Sequence, residues 1–573
     1  MDKSYGKFNL VLHGHIPYVV SHGRWPHGTD WLSEAVAECY LPILRVLREL
    51  EEENVYTRIT MGITPILAEQ LSDPVFHEEV SQYLKIKIDA ANEDRDFFIK
   101  AGEQHMAHLA EKWIEFYNEA KNDFEVLYDR NILKGFNYFL DKGVLDIITC
   151  GATHGYFPLL GEDASINLQV RTAVETHKKH FGKAPTGIWM PECAYRPGYS
   201  WKRPVEKYAE LDPVDRYGIE EFLIENGIKY TFIDSHMLKG GRAIGAYADR
   251  FEGLKLLIER SLKAQKEKEI IEDLSPYKLY KLQSSRNQET ITLFTRDPKT
   301  GLQVWSGEHG YPGDGYYMDF HKKRFPGGLR YWRVTSAKCG LGEKEVYSHE
   351  EVEKRLEENA SHFVDVIYKQ LEENYNTTGE EGVLTAPYDA ELFGHWWFEG
   401  VSFIKKLFQK LAQTDHVKPA TAAEVNGLDT FESIITIPEG SWGEDGHHFI
   451  WLNEQTAWTW EEIYEDELNI MKFVKKAQDN GSPEFRDVVT QLVRELLLEQ
   501  ASDWQFLIST FSARDYAEMR LVYHHNAIKR LTGVANRFLD NGILSDEDKF
   551  ILRELKEQDH AFQNLNIDWY KNI

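Results

Sequence analysis

Along the first 400 residues, short apolar runs end abruptly in polar, reactive side chains. Phe8–Leu12 leads into His13-Gly-His15, Val144–Thr149 into Gly151-Ala-Thr-His154, and Gly187–Met190 into Pro191-Glu192. Lys229–Ile233 leads into Asp234-Ser-His236, Thr290–Phe294 into Thr295-Arg296-Asp297, and Gly382–Ala386 into Pro387-Tyr-Asp389. Runs of this length bounded by turn residues predict parallel strands covered on both faces. Helical periodicity fills the intervals, over Trp31–Glu53, over a proline-free Asp96–Arg130, over Ser165–His180 between Asp163 and Gly182, and over Glu351–Asn374. Strand, helix, strand, with chemistry at the strand ends, predicts an α/β barrel whose site opens at the C-terminal ends of its strands.

After about residue 400 the strand signals thin out, and Glu484–Ser509 and Ala513–Asp540 read as strong helices. The expected organisation is a catalytic domain over 1–400 and an all-helical C-terminal domain over 401–573 that contributes to the active-site cleft. Two charged stretches, near 202–225 and 251–286, are expected to be helical insertions between barrel strands.

Composition narrows the function. The chain has 573 residues, more than one ordinary core accommodates. Its 66 basic residues face 93 acidic ones, a formal charge of −27, with no basic patch, so a nucleic acid is not the expected partner. A neutral substrate suits that charge. Aromatic residues reach 13%, which fits either a ring-rich core or a surface that stacks on sugars. Cys39, Cys150, Cys193 and Cys339 stand apart without a CxxC pair, which argues against a disulfide framework or a zinc ribbon. The N-terminus has no apolar stretch with a cleavage site, and no run approaches a membrane span. A cytoplasmic enzyme with no membrane partner is the expectation; the sequence leaves the oligomeric state open.

Two strand-end carboxylates carry the chemistry. Glu192 follows Gly187-Ile-Trp189-Met-Pro191, where Pro191 fixes φ, and Trp189 and Tyr195 are placed to wall a sugar site. Asp389 follows Leu384-Thr-Ala-Pro-Tyr and precedes a dense aromatic segment containing Phe393, His395, Trp396, Trp397 and Phe398. Cleaving a glycosidic bond with retention needs such a pair, one carboxylate attacking the anomeric carbon and the other protonating the leaving oxygen. An aspartic acid with an ordinary pKa near 3.9 is too acidic for that task unless burial and a neighbouring charge raise it. The plain alternative makes Glu192 a surface residue at a strand end and Asp389 a helix cap.

His13-Gly-His15 and His154 add a third element. HxH at a first strand also occurs in metal-dependent hydrolases, and His154, His236 and Asp389 could serve as further ligands. The other reading has the histidines bond sugar hydroxyls and orient the carboxylates, without metal or cofactor. Trp442, in the glycine-rich Gly440-Ser-Trp-Gly segment, has little packing reason to be an indole and is a stacking candidate, whereas Trp458 and Trp460 suit the helical core.

Together these segments resemble the five signature regions of glycoside hydrolase family 57: His13-Gly-His-Ile-Pro-Tyr18, Gly151-Ala-Thr-His-Gly-Tyr156, Trp189-Met-Pro-Glu-Cys-Ala-Tyr195, Ala386-Pro-Tyr-Asp-Ala-Glu-Leu-Phe-Gly-His395, and Thr421-Ala-Ala-Glu424 leading to Trp442. The resemblance runs nearly end to end. It implies a (β/α)7 barrel, a distorted relative of the TIM barrel, and a metal-free retaining mechanism with Glu192 as nucleophile and Asp389 as acid/base. Within the family the chain is most similar to 1,4-α-glucan branching enzymes, which implies an α-glucan such as amylose, glycogen or a starch-like polymer as partner. Arg296-Asp-Pro, Val304-Trp305-Ser, Tyr311-Pro-Gly313-Asp, Trp442 and Ser502-Asp503-Trp504 carry that likeness. The candidate substrate contacts are His13, His15, His154, Trp189, Arg296, Trp305, Gly313, His395, Trp396, Trp442, Asp503 and Ser512. Two departures stand out. Phe511-Ser512-Ala513 replaces the Gly-Gln before Ala common in relatives, and the loop 237–247 has only Tyr247 as counterpart of a tyrosine that covers the acceptor site. Alternatives within the family are α-amylase and 4-α-glucanotransferase; the remoter ones are a metal-dependent hydrolase and an inactive glucan-binding protein.

Overall fold

The structure, a computed structural model, describes residues 3–239, 274–306, 310–443 and 446–573. Seven parallel segments close on one another in chain order. β1 (Gly6–Gly14) pairs with β2 (Ile59–Ile63), and β2 with β3 (Leu145–Ile148). Single bridges, Thr149 to Ile188 and Gly187 to Tyr230, carry the sheet through residues 187–189 to β4 (Tyr230–Ile233). β4 pairs with β5 (Thr290–Thr295), Arg296 bridges Thr385 of β6 (Gly382–Asp389), and β6 returns to β1 from Gly6↔Gly382 to His13↔Asp389. This is a distorted (β/α)7 barrel. A short β7 (Val417–Pro419) wedges beside the first residues of β1 before β2 takes over that edge.

Six of the seven segments are the apolar runs that the sequence marks. The seventh, Ile59-Thr-Met-Gly-Ile63, is broken by Thr60 and Gly62, which hides its periodicity. Gly62 is there for space: a Cβ would lie 2.9 Å from His13 Nδ1. Gly187 is equally constrained, because a Cβ would meet the Tyr230 ring at 2.1 Å. Side chains from neighbouring strands occupy the room that these glycines leave, as close packing inside a small barrel requires.

The helices differ from expectation at instructive places. The stretch Asp96–Arg130 is not one helix. Pro74–Ala101 ends on Gly102 in the left-handed region, φ 78°, and Gln104–Asn122 starts anew. Glu484–Ser509 is likewise two helices, Pro483–Glu499 and Asp503–Thr510, and the break between them holds Ser502. The helix Asp163–Phe181, with Gly182 at φ 70° just beyond it, keeps the expected position. The 202–225 insertion is helical only over Ile219–Glu225; the rest is an antiparallel ribbon of Tyr199–Trp201 and Val214–Arg216 with a single 3-10 turn. Of the 251–286 insertion, residues 251–273 lie outside the described residues, and Tyr280–Gln283 is a strand antiparallel to β5.

Past residue 400 the chain still serves the barrel, since β7 pairs with β1 and Ala420 N–H bonds to Phe8 O. The wholly helical part therefore starts at Ala457 rather than at 401. Its helices Pro483–Glu499 and Arg514–Asn541 present a continuous apolar face, with Leu492, Leu496, Leu521 and Leu531 buried. Among the described residues no helix is long and apolar enough to cross a membrane.

Gly187→Ala should lower stability by about 1–3 kcal/mol, because the Tyr230 ring must move from a packed position. Urea unfolding followed by fluorescence checks this; an unchanged midpoint would show that the ring yields freely.

Candidate active site

Glu192 sits where the backbone leaves the barrel segment 187–189. It lies in the left-handed region, φ 62° and ψ 26°, and Cys193 follows at φ 51°. Left-handed geometry at a non-glycine residue costs free energy and persists only where the surroundings enforce it. Here Trp442 enforces it twice: its backbone N–H bonds to Glu192 O at 3.0 Å, and its indole Nε1–H donates to Glu192 Oε2 at 2.6 Å. The strain aims a 16%-exposed carboxylate from a buried backbone. Burial, and after it the charge of Asp389, push the Glu192 carboxyl up to about 8, while the Trp442 bond pulls it down and Asp503 adds to the rise.

Asp389 is the last residue of β6, and the β1–β6 register sets it opposite His13. Two residues on, Glu391 turns inward. It accepts the His15 backbone N–H at 2.9 Å and the Tyr40 hydroxyl, and it is 7% exposed. Burial pushes Glu391 to about 8 against the Tyr40 bond, with Asp389 adding to the push. Glu192 and Glu391 are thus both raised by the charge of Asp389, and the centre holds protons that isolated carboxylates would have lost.

The three signature histidines form one stack. The rings of His15 and His154 lie 4.2 Å apart, those of His13 and His154 5.2 Å, and His13 rests 5.2 Å from Trp189. Their nitrogens are largely spent on protein partners. His13 Nε2 bonds His154 Nε2 at 3.1 Å, His154 Nδ1 bonds Ser502 Oγ at 2.8 Å, and His15 bridges Thr64 Oγ1 at 3.0 Å and Asp503 Oδ2 at 2.9 Å. Burial, then the nearness of His15, lowers His13 and His154 well below the usual histidine range, so both are neutral at pH 7. The stack therefore orients Asp503 and Ser502 rather than offering free donors to sugar hydroxyls.

The same side chains are those spaced for a cation: His13, Cys150 and His154 in one group, His15, His154 and Asp503 in another. Burial raises the Cys150 thiol well above its ordinary range, and the imidazoles bond to one another and to hydroxyls. That donor set fits a hydrogen-bonded network better than a metal centre.

An aromatic wall rises beside Glu192. Trp442 meets Trp189 at 4.8 Å and Trp305 at 5.6 Å, both edge-on. Arg296 lies over the Trp442 ring at 5.6 Å and is held by Asp234 at 3.0 Å, a carboxylate that also accepts from His236 Nδ1 at 3.0 Å. Trp305 Nε1–H reaches Pro387 O at 3.4 Å, which joins this wall to the strand of Asp389. Trp189 is fully buried and backs Trp442 and His13 from below.

Other expected site residues stand elsewhere. His395 pairs with Glu34 at 3.4 Å, and its carbonyl accepts from Arg330, so it serves a buried ion network. Trp396 is 45% exposed and stacks on Phe320 at 4.2 Å, an outward-facing platform. Gly313 ends the turn Tyr311–Gly313, which packs through Tyr311 against His362 and Phe363; no described contact ties it to the carboxylates. Ser512 bonds back to Thr510 Oγ1 at 2.8 Å, and Phe511 beside it is 46% exposed at φ 57°. Tyr195 turns away to Glu220, at 2.8 Å, so it does not wall the site. Tyr247 lies outside the described residues. Sequence reasoning did not single out Glu391, and it named Ser502 only within the Ser502-Asp503-Trp504 pattern. Strand alternation could not have found Glu391, because it sits in the 3-10 turn Ala390–Leu392 beyond the end of β6.

Comparison with known proteins follows this geometry. Residues 9–438 match the model of glycosyl hydrolase family 57, and residues 462–570 match that of the 1,4-alpha-glucan branching enzyme C-terminal region. A 1,4-alpha-glucan branching enzyme of Thermococcus kodakarensis is 38% identical over 99% of this chain and 78% of its own length. The branching-enzyme structure of Pyrococcus horikoshii superimposes with a TM-score of 0.85 at 36% identity, covering 99% of this chain and 97% of that one. The α-amylase AmyC structure of Thermotoga maritima gives a TM-score of 0.79 at 28% identity over 99% of both chains. The chain belongs to glycosyl hydrolase family 57 and carries that family's branching-enzyme C-terminal region.

Proposed function

We propose that this protein is a retaining 1,4-α-glucan branching enzyme, acting on an α-glucan in the cytoplasm as part of glycogen-type carbohydrate metabolism. The observation that carries the reading is the union of the two matched regions at one centre: the C-terminal Ser502 and Asp503 bond the barrel's His154 and His15 beside Glu192. Similarity to branching enzymes over nearly the whole chain supports it.

In the mechanism, Glu192 attacks C1 of an α-1,4-linked glucose while Asp389 gives its proton to the departing O4. A glycosyl ester on Glu192 results, and the leaving chain departs as an alcohol. Asp389, now ionised, takes the proton from an acceptor O6 hydroxyl. That oxygen attacks C1, Glu192 leaves as a carboxylate, and two inversions amount to retention with a new α-1,6 bond. A carboxyl raised to about 8 would by itself suggest that Glu192 is the acid. The nucleophile role requires that Glu192 give up that proton before it attacks, and the indole donor aimed at Glu192 Oε2 favours the anion this needs. Arg296, Trp305 and Trp442 form the face on which a glucose ring would rest, with His13, His15, His154 and Trp189 as its support.

Hydrolysis is the second reading, favoured by the end-to-end likeness to an enzyme described as an α-amylase. The two reactions share the glycosyl ester and differ only in whether O6 or water takes it.

Incubation with amylose, followed by debranching and chain-length analysis, should show new α-1,6 branches with little rise in reducing ends. Reducing ends rising without branches would replace branching by hydrolysis. Glu192→Gln should lower kcat by about 10⁴-fold or more while the chain stays folded; near-normal turnover would remove it from the nucleophile role. Trp442→Phe removes the donor that favours the Glu192 anion, so the carboxyl rises further and must still be ionised to attack. The acid limb of kcat/KM against pH should move up by about one unit. A limb that stays in place would contradict the indole's role.

A further inference from the structure

A second buried cluster lies in the C-terminal helices, apart from the stack of His13, His15 and His154. Glu462 and Asp466 stand one turn apart on the helix Ala457–Asn480, Glu499 ends the helix Pro483–Glu499, and His525 projects from Arg514–Asn541. Asp466 is 3% exposed, His525 5% and Glu499 0%. His525 Nδ1 lies 2.6 Å from Asp466 Oδ2 and 3.7 Å from Glu499 Oε1, while its Nε2 lies 2.6 Å from Glu462 Oε2. Among the described residues, no arginine or lysine pairs with any of these three carboxylates.

Glu499 is the anomaly. Both of its carboxylate oxygens are buried and neither accepts an N–H or a hydroxyl among the described residues; what faces them is the Asp466 carboxylate, an acceptor that needs a proton or a cation between the two. A buried carboxylate without partner is costly, and proteins answer it with a proton, a paired cation or a metal ion. One oxygen of Asp466, one of Glu499 and one imidazole nitrogen lie within 4.8 Å of one another. Bond lengths of about 2.0–2.2 Å to a tetrahedral zinc ion place its ligands about 3.3 Å apart, between the 2.6 and 3.7 Å separations found here. Glu462 Oε2 lies 2.6 Å from the far nitrogen without the alignment of a hydrogen bond, and a small turn of the ring would make it the carboxylate that commonly orients a metal-bound histidine.

We propose that Asp466, Glu499 and His525 hold a divalent transition-metal ion, Zn²⁺ being the best match to one imidazole and two carboxylates, with Glu462 orienting the imidazole. The ion would tie three helices together. It would also anchor Glu499, four residues before Asp503 on the segment that enters the catalytic centre. Glu462, whose side chain is 33% exposed, lies at the solvent side and gives an entry path.

The test uses the full chain, stripped with a chelator and returned to one equivalent of Zn²⁺ or Mg²⁺. After desalting, elemental analysis should find one Zn²⁺ per chain and no retained Mg²⁺, with Tm raised by about 2–5 °C by Zn²⁺ alone. Glu499→Gln and Asp466→Asn should each lose the metal and the Tm rise, whereas His15→Asn, which disrupts the catalytic donor set, should keep both. Failure of the wild-type chain to retain Zn²⁺ would overturn the site. So would Zn²⁺ kept by Glu499→Gln and lost by His15→Asn, or a metal-free Tm that Glu499→Gln raises and Zn²⁺ leaves unchanged, the sign of a carboxyl that needed only a proton. Should the variants not fold, anomalous diffraction at the zinc edge on wild-type crystals decides. A peak between His525 and Glu499 supports the site; a peak only at the stack of His13, His15 and His154, or none, refutes it.

Discussion

Carboxylates crowded into a buried barrel mouth cannot all ionise, and much of this structure is arranged around that fact. Glu192 and Glu391 are each raised to about 8, with burial the larger cause and Asp389 adding to it. A centre that keeps a proton at neutral pH is what acid-assisted departure of a sugar requires. Each carboxyl is held by its own donors, Glu192 by the Trp442 indole and Glu391 by the His15 N–H and the Tyr40 hydroxyl. The left-handed backbone at Glu192 follows from the Trp442 contact, because the loop of Trp442 also takes its carbonyl.

The C-terminal helices complete the centre. The break after Glu499 frees the backbone to deliver Ser502 and Asp503 to the histidine stack, and Asp503 contributes to the elevation of Glu192. His13, His15 and His154 form a stack of fixed orientation between barrel and helices, with burial keeping His13 and His154 neutral. Branching demands that an acceptor chain outcompete water at the glycosyl ester; Trp305, Trp442 and Arg296, with the buried Trp189 behind them, stand beside the carboxylate that would carry that ester.

The barrel was legible where each strand was a continuous apolar run and illegible at Ile59–Ile63, where Thr60 and Gly62 serve packing against β1 rather than periodicity. Helix breaks were the weaker part. Gly102 and the 500–502 step interrupt strongly periodic sequence, and the second interruption is itself a site element. Strand-end position exposed Glu192, Asp389 and the histidines, since reactive groups must gather at one mouth of the barrel. It could not say which nitrogens remain free, and most are spent on the protein. His395 and Gly313 carry motif likeness without contact to the carboxylates, because a motif records neighbours in sequence and not the direction a side chain takes.

The central claim is that Glu192, in its anionic form, receives the sugar. The direct measurement uses Asp389→Asn with an α-glucosyl fluoride donor, whose leaving group needs no acid, so that the first step proceeds and the second, lacking its base, stalls. Proteolysis and mass spectrometry then locate the trapped sugar. A glycosyl adduct on the peptide containing Glu192 is predicted; an adduct on Glu391 or Asp503 instead, or rapid donor consumption with no adduct on any carboxylate, would contradict it.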